Sequence, residues 1–229
     1  MALGLAEAGA NIALTSTNEQ SLSEIAEQIH QKGRTASVHA CDLSNREGIS
    51  NLIASVDASH RHIDILVNNA GIIRRSPAAE HPASDWDEVL EVNLFAPFAL
   101  SQAFGKRMIE EGQGKIINIA SLLSFSGGIN VVSYASSKGA IAQMTKAFAN
   151  EWASKNVQVN AIAPGYFATD NTYDLRNDSA RSKDILGRIP AGRWGAPEDL
   201  QGALIFLASA ASNYVNGHVL LVDGGWMAR

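Results

Sequence analysis

Short apolar runs alternate with segments of helical period along the whole chain, and this alternation constrains the fold more than any other feature. The apolar runs lie at residues 11–15, 35–40, 63–67, 115–119, 157–162 and 218–222. Each is too short for a helix and reads as a strand buried on both faces. Between them, residues 21–32 carry Leu22, Ile25, Ala26 and Ile29 at helical spacing and close on Gly33. Residues 45–59 place Ile49, Leu52, Ile53 and Val56 along one side. Ser84 can cap a long helix running to about Glu111, residues 134–154 form another, and Pro197 opens a helix to Ala208. Strands and helices in strict alternation predict an α/β fold: a doubly wound parallel sheet with helices on both faces. The chain has 229 residues with no repeat or linker, so a single domain spanning 1–229 is expected.

Ligands of such sheets gather beyond the carboxyl ends of the strands. Asp42, Asn68, Ser121 and Pro164 all lie at such ends. Tyr134 and Lys138 stand four positions apart, hence on one helix face, and Ser121 lies 13 positions before the tyrosine. A free phenol titrates near ~10 and is a poor base at neutral pH; an ammonium one turn away stabilises the phenolate. A serine hydroxyl can hold a carbonyl oxygen beside that phenol. A protein that leaves the electron chemistry to a bound cofactor needs such a proton shuttle. Standing alone, a Tyr-x-x-x-Lys pair is also compatible with a solvated helix face.

Other segments point the same way. Asn68-Asn69-Ala70-Gly71 follows a buried strand, and its small and amide side chains let a flat ligand approach the backbone. Asp42 can accept from an amine such as that of adenine, or cap the helix behind Ser44-Asn45. Pro97 lacks the N–H that would pair with the Asn93 carbonyl, so the helix should bend there and free that oxygen. Pro164-Gly165-Tyr166-Phe167-Ala168-Thr169 forms a turn that can expose backbone groups to a ligand amide. Arg74 and Arg75, just past the Asn-Asn turn, can bind a carboxylate bidentately or remain on a solvated loop.

Net charge is −5, which offers no broad basic face to nucleic acid or an anionic membrane. No apolar run reaches the ~18 residues of a membrane span. The one cysteine, Cys41, suits a reducing cytoplasm. His60 and His62 lack the partners a zinc site requires, and no metal is expected.

Asn68-Asn69-Ala70-Gly71, Asn93, Ser121, Tyr134, Lys138 and Pro164-Gly165 match, in order and spacing, the motifs of the short-chain dehydrogenase/reductase family. From Met1 to Arg229 the chain resembles that Rossmann-type family. The resemblance implies that Tyr134 is the general acid/base and that Lys138 lowers its pKa and contacts the nicotinamide ribose. Ser121 then orients the substrate oxygen, and Asn93 holds a water through its freed carbonyl. Asp42, with Leu43, contacts adenine; Asn69, Ala70 and Gly71 flank the adenine ribose. Ile162, Pro164, Gly165 and Thr169 serve the nicotinamide carboxamide.

Ile72-Ile73-Arg74-Arg75, Ile189-Pro190-Ala191-Gly192-Arg193-Trp194-Gly195 and Val222-Asp223-Gly224-Gly225-Trp226 resemble the sugar-acid branch of the family. This implies a substrate of the 3-deoxy-2-keto-gluconate type, with Arg74, Arg75, Ser121 and Tyr166 as its contacts. Thr15-Ser16-Thr17-Asn18 carries neither the acid nor the base that would select a coenzyme; NAD is expected, with NADP permitted. A homo-oligomer, dimer or tetramer, is also implied.

The chain departs from the family pattern at its start, where the first strand and the Thr-Gly-x-x-x-Gly-x-Gly turn have no counterpart. Losing about six buried apolar residues would forfeit roughly 10 kcal/mol, as much as a domain's whole stability. The expectation is therefore an N-terminally incomplete domain of a longer dehydrogenase. The alternatives are a non-catalytic oligomer partner and a sugar-acid-binding module.

Overall fold

The computed structural model describes all 229 residues. In chain order it contains α1 (Ala2–Glu7), β1 (Ile12–Ser16), α2 (Glu19–Gln31), β2 (Ala36–Ala40), α3 (Arg46–Ser59) and β3 (Ile65–Asn68). There follow α4 (Ala83–Leu90), α5 (Ala96–Glu111), β4 (Gly114–Ile119), α6 (Val132–Trp152) and β5 (Val157–Pro164). The last elements are α7 (Tyr173–Asn177), α8 (Ser179–Arg188), α9 (Gln201–Ala208) and β6 (Val219–Val222). Helix starts follow their capping chemistry: Asn18 Oδ1 accepts from the Ser21 N–H, and Asn45 Oδ1 from those of Glu47 and Gly48.

All strand pairs are parallel, as the alternation requires, but they form two ladders rather than one. β1 pairs with β2, and β3-β4-β5-β6 form a separate four-stranded sheet. The parallel, doubly wound α/β architecture expected from the sequence is present, and no ladder joins β1 to β3. Packing across the two comes instead from side chains. Ile12 of β1 touches both the small cluster around Leu14, Leu22 and Ile29 and the cluster around Ile117, Ile162 and Leu204. The largest cluster lies on the opposite face, where α3, α5 and α6 cover β4 and β5 through Leu52, Phe104, Met108, Ile116, Ala149 and Val159.

The expected fault near Pro97 takes the form of a π-turn. Glu91–Phe95 wind as π-helix, and the Ala96 N–H donates to the Glu91 carbonyl five residues back. Proline cannot donate to the Asn93 carbonyl, and widening the turn by one residue absorbs that missing bond. Ser84 does not cap this run; α4 begins behind Pro82, and Ser84 lies inside it. α7 and α8 were not foreseen, because residues 173–188 are mostly polar and carry almost no apolar period. Only Asp178 signals α8, by accepting from the N–H groups of Ala180 and Arg181. No helix is long and apolar enough to cross a membrane.

Candidate active site

The first turns of α6 lie against the carboxyl end of β4. Lys138 is 4% exposed, and its Nζ donates to the Ile119 carbonyl, the last of β4, at 2.6 Å. The same nitrogen lies 5.7 Å from the Tyr134 ring centroid. Ser121 follows two residues after Ile119 and opens a 3-10 turn, its Oγ accepting from the Leu123 N–H at 3.1 Å. Ser124 fastens that turn to the helix: its Oγ donates to the Lys138 carbonyl at 2.6 Å and accepts from the Ser121 N–H. The structure therefore brings Ser121, Tyr134 and Lys138 together, as the spacing implied. Ser124 was missed, although its position three residues after Ser121 is a capping-box spacing.

The electrostatics differ from expectation. Burial pushes the Tyr134 phenol above its ordinary value; the Ser121 hydroxyl and the Arg75 charge lower it by less. Lys138 is not among the groups that lower it. Its own ammonium is held down to about 8 by burial, and its proton points at a backbone carbonyl. At neutral pH the phenol is thus a protonated donor.

Asn93 holds its neighbours through its side chain. Its Oδ1 accepts from the Ile72 N–H at 2.8 Å, and its Nδ2 donates to the Ile72 carbonyl at 2.9 Å and to Ser137 Oγ at 3.2 Å. The amide thus clamps the loop after β3 to α6, a role not read from the sequence. A second buried network fixes the strands beneath: Asn68 Nδ2 donates to Ser101 Oγ and Asn118 Oδ1, and Asn118 Nδ2 to Thr145 Oγ1. Gly71 leaves little room for a side chain: an added Cβ would sit tightly, 3.3 Å from Asn93 Oδ1, and in contact with Lys138 Nζ at 3.5 Å. Gly71→Ala should therefore lower kcat/KM about tenfold while costing about 1 kcal/mol or less of stability. Steady-state kinetics alongside thermal melts check this, and unchanged kinetics would refute the close packing.

The remaining predicted residues divide. Asn69 and Ala70 are exposed just beyond β3, and Pro164, Gly165 and Thr169 lie at and after the end of β5. Asp42 is exposed, and one of its oxygens accepts from the Ser44 N–H and hydroxyl, which hold its carboxyl below the usual range. The capping reading thus holds for that oxygen and leaves the other open to a ligand. Leu43 is buried in the core. Ile162 is a correction: it is wholly buried, packs with Ile117 and Leu204, and its carbonyl accepts from the Ala120 N–H. β5 runs on to Pro164, so Ile162 is sheet interior with no group to offer a ligand.

Arg74 is also corrected as a substrate contact. It makes a two-pronged pair with Glu88, at 2.9 and 2.8 Å, which occupies the guanidinium. Arg75 makes only one hydrogen bond, to the Asn171 carbonyl, and its charge reaches the Tyr134 phenol. Tyr166 is half-buried after β5. No group of three or more His, Cys, Asp or Glu side chains is placed to hold a metal ion.

A phenol, a buried ammonium and a hydroxyl at the carboxyl ends of a parallel sheet, with bare backbone at Gly71 beside them, form a site for a flat cofactor and a hydroxyl or carbonyl substrate. A family model described as Enoyl-(Acyl carrier protein) reductase matches residues 1–227. The chain belongs to the short-chain dehydrogenase/reductase family and is an NAD(P)-dependent oxidoreductase. It is 54% identical to a 2-dehydro-3-deoxy-D-gluconate 5-dehydrogenase of Pseudoalteromonas atlantica, over 100% of this chain and 91% of that protein. A Beutenbergia cavernae protein solved with NADP at low occupancy superposes with a TM-score of 0.96 at 49% identity, covering 100% of this chain and 91% of that one. A gluconate 5-dehydrogenase of Burkholderia cenocepacia, solved with NADP and tartrate, gives a TM-score of 0.94 at 42% identity, covering 100% and 90%. Each of these matches covers the whole of this chain and about nine-tenths of the protein compared with it.

Proposed function

We propose that the chain transfers a hydride between a nicotinamide cofactor and a secondary alcohol or ketone of a sugar acid of the 3-deoxy-2-keto-gluconate type. The observation that carries this reading is the convergence of Ser121, Tyr134 and Lys138 with one nearby guanidinium, Arg75, that is not taken up by a carboxylate. The printed activities of several relatives, 2-dehydro-3-deoxy-D-gluconate 5-dehydrogenase and gluconate 5-dehydrogenase, support the same substrate class.

Nicotinamide, when bound, supplies the hydride chemistry, and the chain supplies proton handling and orientation. Tyr134 gives its proton to the substrate oxygen in reduction and takes it back in oxidation. Ser121 holds that oxygen and favours the phenolate, and Lys138 meets the ribose. Asn69, Ala70, Gly71, Pro164, Gly165 and Thr169 line the cofactor path, with the open Asp42 oxygen at its adenine end. NAD remains the expected coenzyme. NADP is also admitted, because β1 ends at Ser16 with no carboxylate to repel a 2′-phosphate.

Arg75 is the carboxylate contact in this reading. Arg75→Met should raise KM for the sugar acid about 10–100-fold, the worth of a charged hydrogen bond, with kcat little changed. Arg74→Met should leave KM near the wild-type value. A spectrophotometric assay with NAD and NADP against deoxy-keto sugar acids checks both; no turnover with either coenzyme would defeat the proposal.

The outer face of α5 and α6 supports self-association. Phe98, 38% exposed, stacks on Phe148, which stacks on Trp152. The lone cysteine fits a cytoplasmic enzyme.

A further inference from the structure

The end of the chain is built into the wall of the site. After β6, Val222 and Asp223 pass directly behind the Pro164-Gly165 turn: the Gly165 N–H donates to the Val222 carbonyl at 2.9 Å. A Cβ on Gly165 would lie 2.6 Å from Asp223 Cα, so only glycine lets the two backbones approach. Asp223 then turns the chain, one carboxylate oxygen accepting from the Gly225 N–H and the other from the Met227 N–H. Gly224 and Gly225 have φ of 64° and 90°, and the Gly224 carbonyl accepts from the Ala191 N–H. This turn delivers Trp226, 9% exposed, into a cluster with Leu122, Tyr166, Ile185, Ile189 and Trp194.

That cluster adjoins two residues read above as substrate contacts, Ser121 and Tyr166. Leu122 is the neighbour of Ser121. Tyr166 is tilted against Trp226 with ring centroids 4.6 Å apart, and its other edge meets Trp194 at 5.7 Å. The Arg188 guanidinium, closing α8, stacks 3.9 Å from the Trp226 centroid, and Arg229 donates to the Gly187 carbonyl. The segment from Asp170 to Ile189 therefore has two moorings. Near its start, the Asn171 carbonyl accepts from Arg75; at its end, Ile185, Arg188 and Ile189 rest on Trp226 and Leu122. The segment spans between the guanidinium and the serine.

We propose that Trp226 is a positioning residue for the substrate: it fixes Tyr166 and the α8 end of this segment against the Ser121 turn. This rests on the functional reading above. The side-chain contacts of Trp226 lie with Leu122, Tyr166 and the end of α8, so its removal acts first on substrate fit. A misplacement of about 1 Å in such supports is enough to cost up to about 10²-fold.

The test compares Trp226→Ala and Trp226→Phe with the wild-type full chain. The expected result for Trp226→Ala is a KM for the sugar acid raised about tenfold or more, kcat within about threefold and coenzyme Kd unchanged. Trp226→Phe, which keeps an aromatic face for Tyr166 and Arg188, should recover most of the loss. Amide hydrogen exchange should rise in Tyr166 and α8 and stay unchanged in β3, β4 and β5. An unchanged KM, or a uniform rise in exchange with coenzyme binding lost, would overturn the proposal. If the wild type turns over no sugar acid, the functional reading fails and the substrate role of Trp226 falls with it; if the wild type is active and exchange in Tyr166 and α8 does not rise, only the role of Trp226 is refuted.

Discussion

Tyr134→Phe will lower turnover by about 10²–10⁴-fold, the span a single positioned acid/base contributes. The substitution removes one oxygen and leaves the ring, so the 5.7 Å approach of Lys138 and the Ser121 turn persist. Coenzyme binding should stay within about twofold, because the contacts assigned to the dinucleotide lie on Asp42, the Asn69 to Gly71 turn, Lys138 and the turn after β5. Because burial keeps the phenol protonated at neutral pH, the wild-type enzyme should reduce ketones readily there and oxidise alcohols faster as pH rises. Single-turnover absorbance at 340 nm with matched coenzyme titrations checks both statements. Turnover that survived in the phenylalanine variant would remove Tyr134 from proton transfer.

The second large effect pairs lost activity with retained or increased stability. Lys138→Met should cost about 10²-fold or more in kcat/KM, because a neutral, donor-free side chain cannot meet the ribose or hold the carboxyl end of β4 at the Ile119 carbonyl. The folded state gains from the same change. A lysine that titrates near 8 in place of its ordinary 10.5 carries a burial cost of about 3 kcal/mol at neutral pH. Losing the donor to the Ile119 carbonyl returns about 1–3 kcal/mol of that gain. The melting temperature at pH 7 should therefore match or exceed that of the wild type. The sign follows from proton counts. Between about pH 8 and 10.5 the unfolded chain binds a proton that folded Lys138 has released, so wild-type stability rises with pH through that window. The methionine variant has no such proton and should lack the rise. Thermal melts across that range decide it; a variant with the same pH slope as wild type would refute the buried ammonium.

Where residues act locally, their structure was legible. Asn45 caps its helix through its own side chain, and Pro97 enforces a helical fault within five residues of itself. The convergence of Ser121, Tyr134 and Lys138 was equally readable, because the three are tied by helix periodicity and by a strand end. What escaped depends on long-range pairing. Nothing adjacent to Asn93 indicates that its amide will bracket the backbone of Ile72, 21 positions away. Arg74 and Arg75 are indistinguishable side by side; only the arrival of Glu88 from α4 takes the first and leaves the second. Ile162 was misplaced because apolar character runs smoothly along β5 and does not mark where the ladder stops. The role of Trp226 required the tail to be seen folded back, a contact across 60 positions with Tyr166.

Two ladders that share no rung are free to open at different energies. The smaller unit, β1 and β2 with α2, presents Asp42 at its exit, whereas Lys138 and Ser121 belong to the larger one. A long molecule gripped at both places would act as a splint across the seam. Its grip would be taxed by whatever fraction of time the two halves drift apart, and by reciprocity its presence would make the whole molecule melt as one.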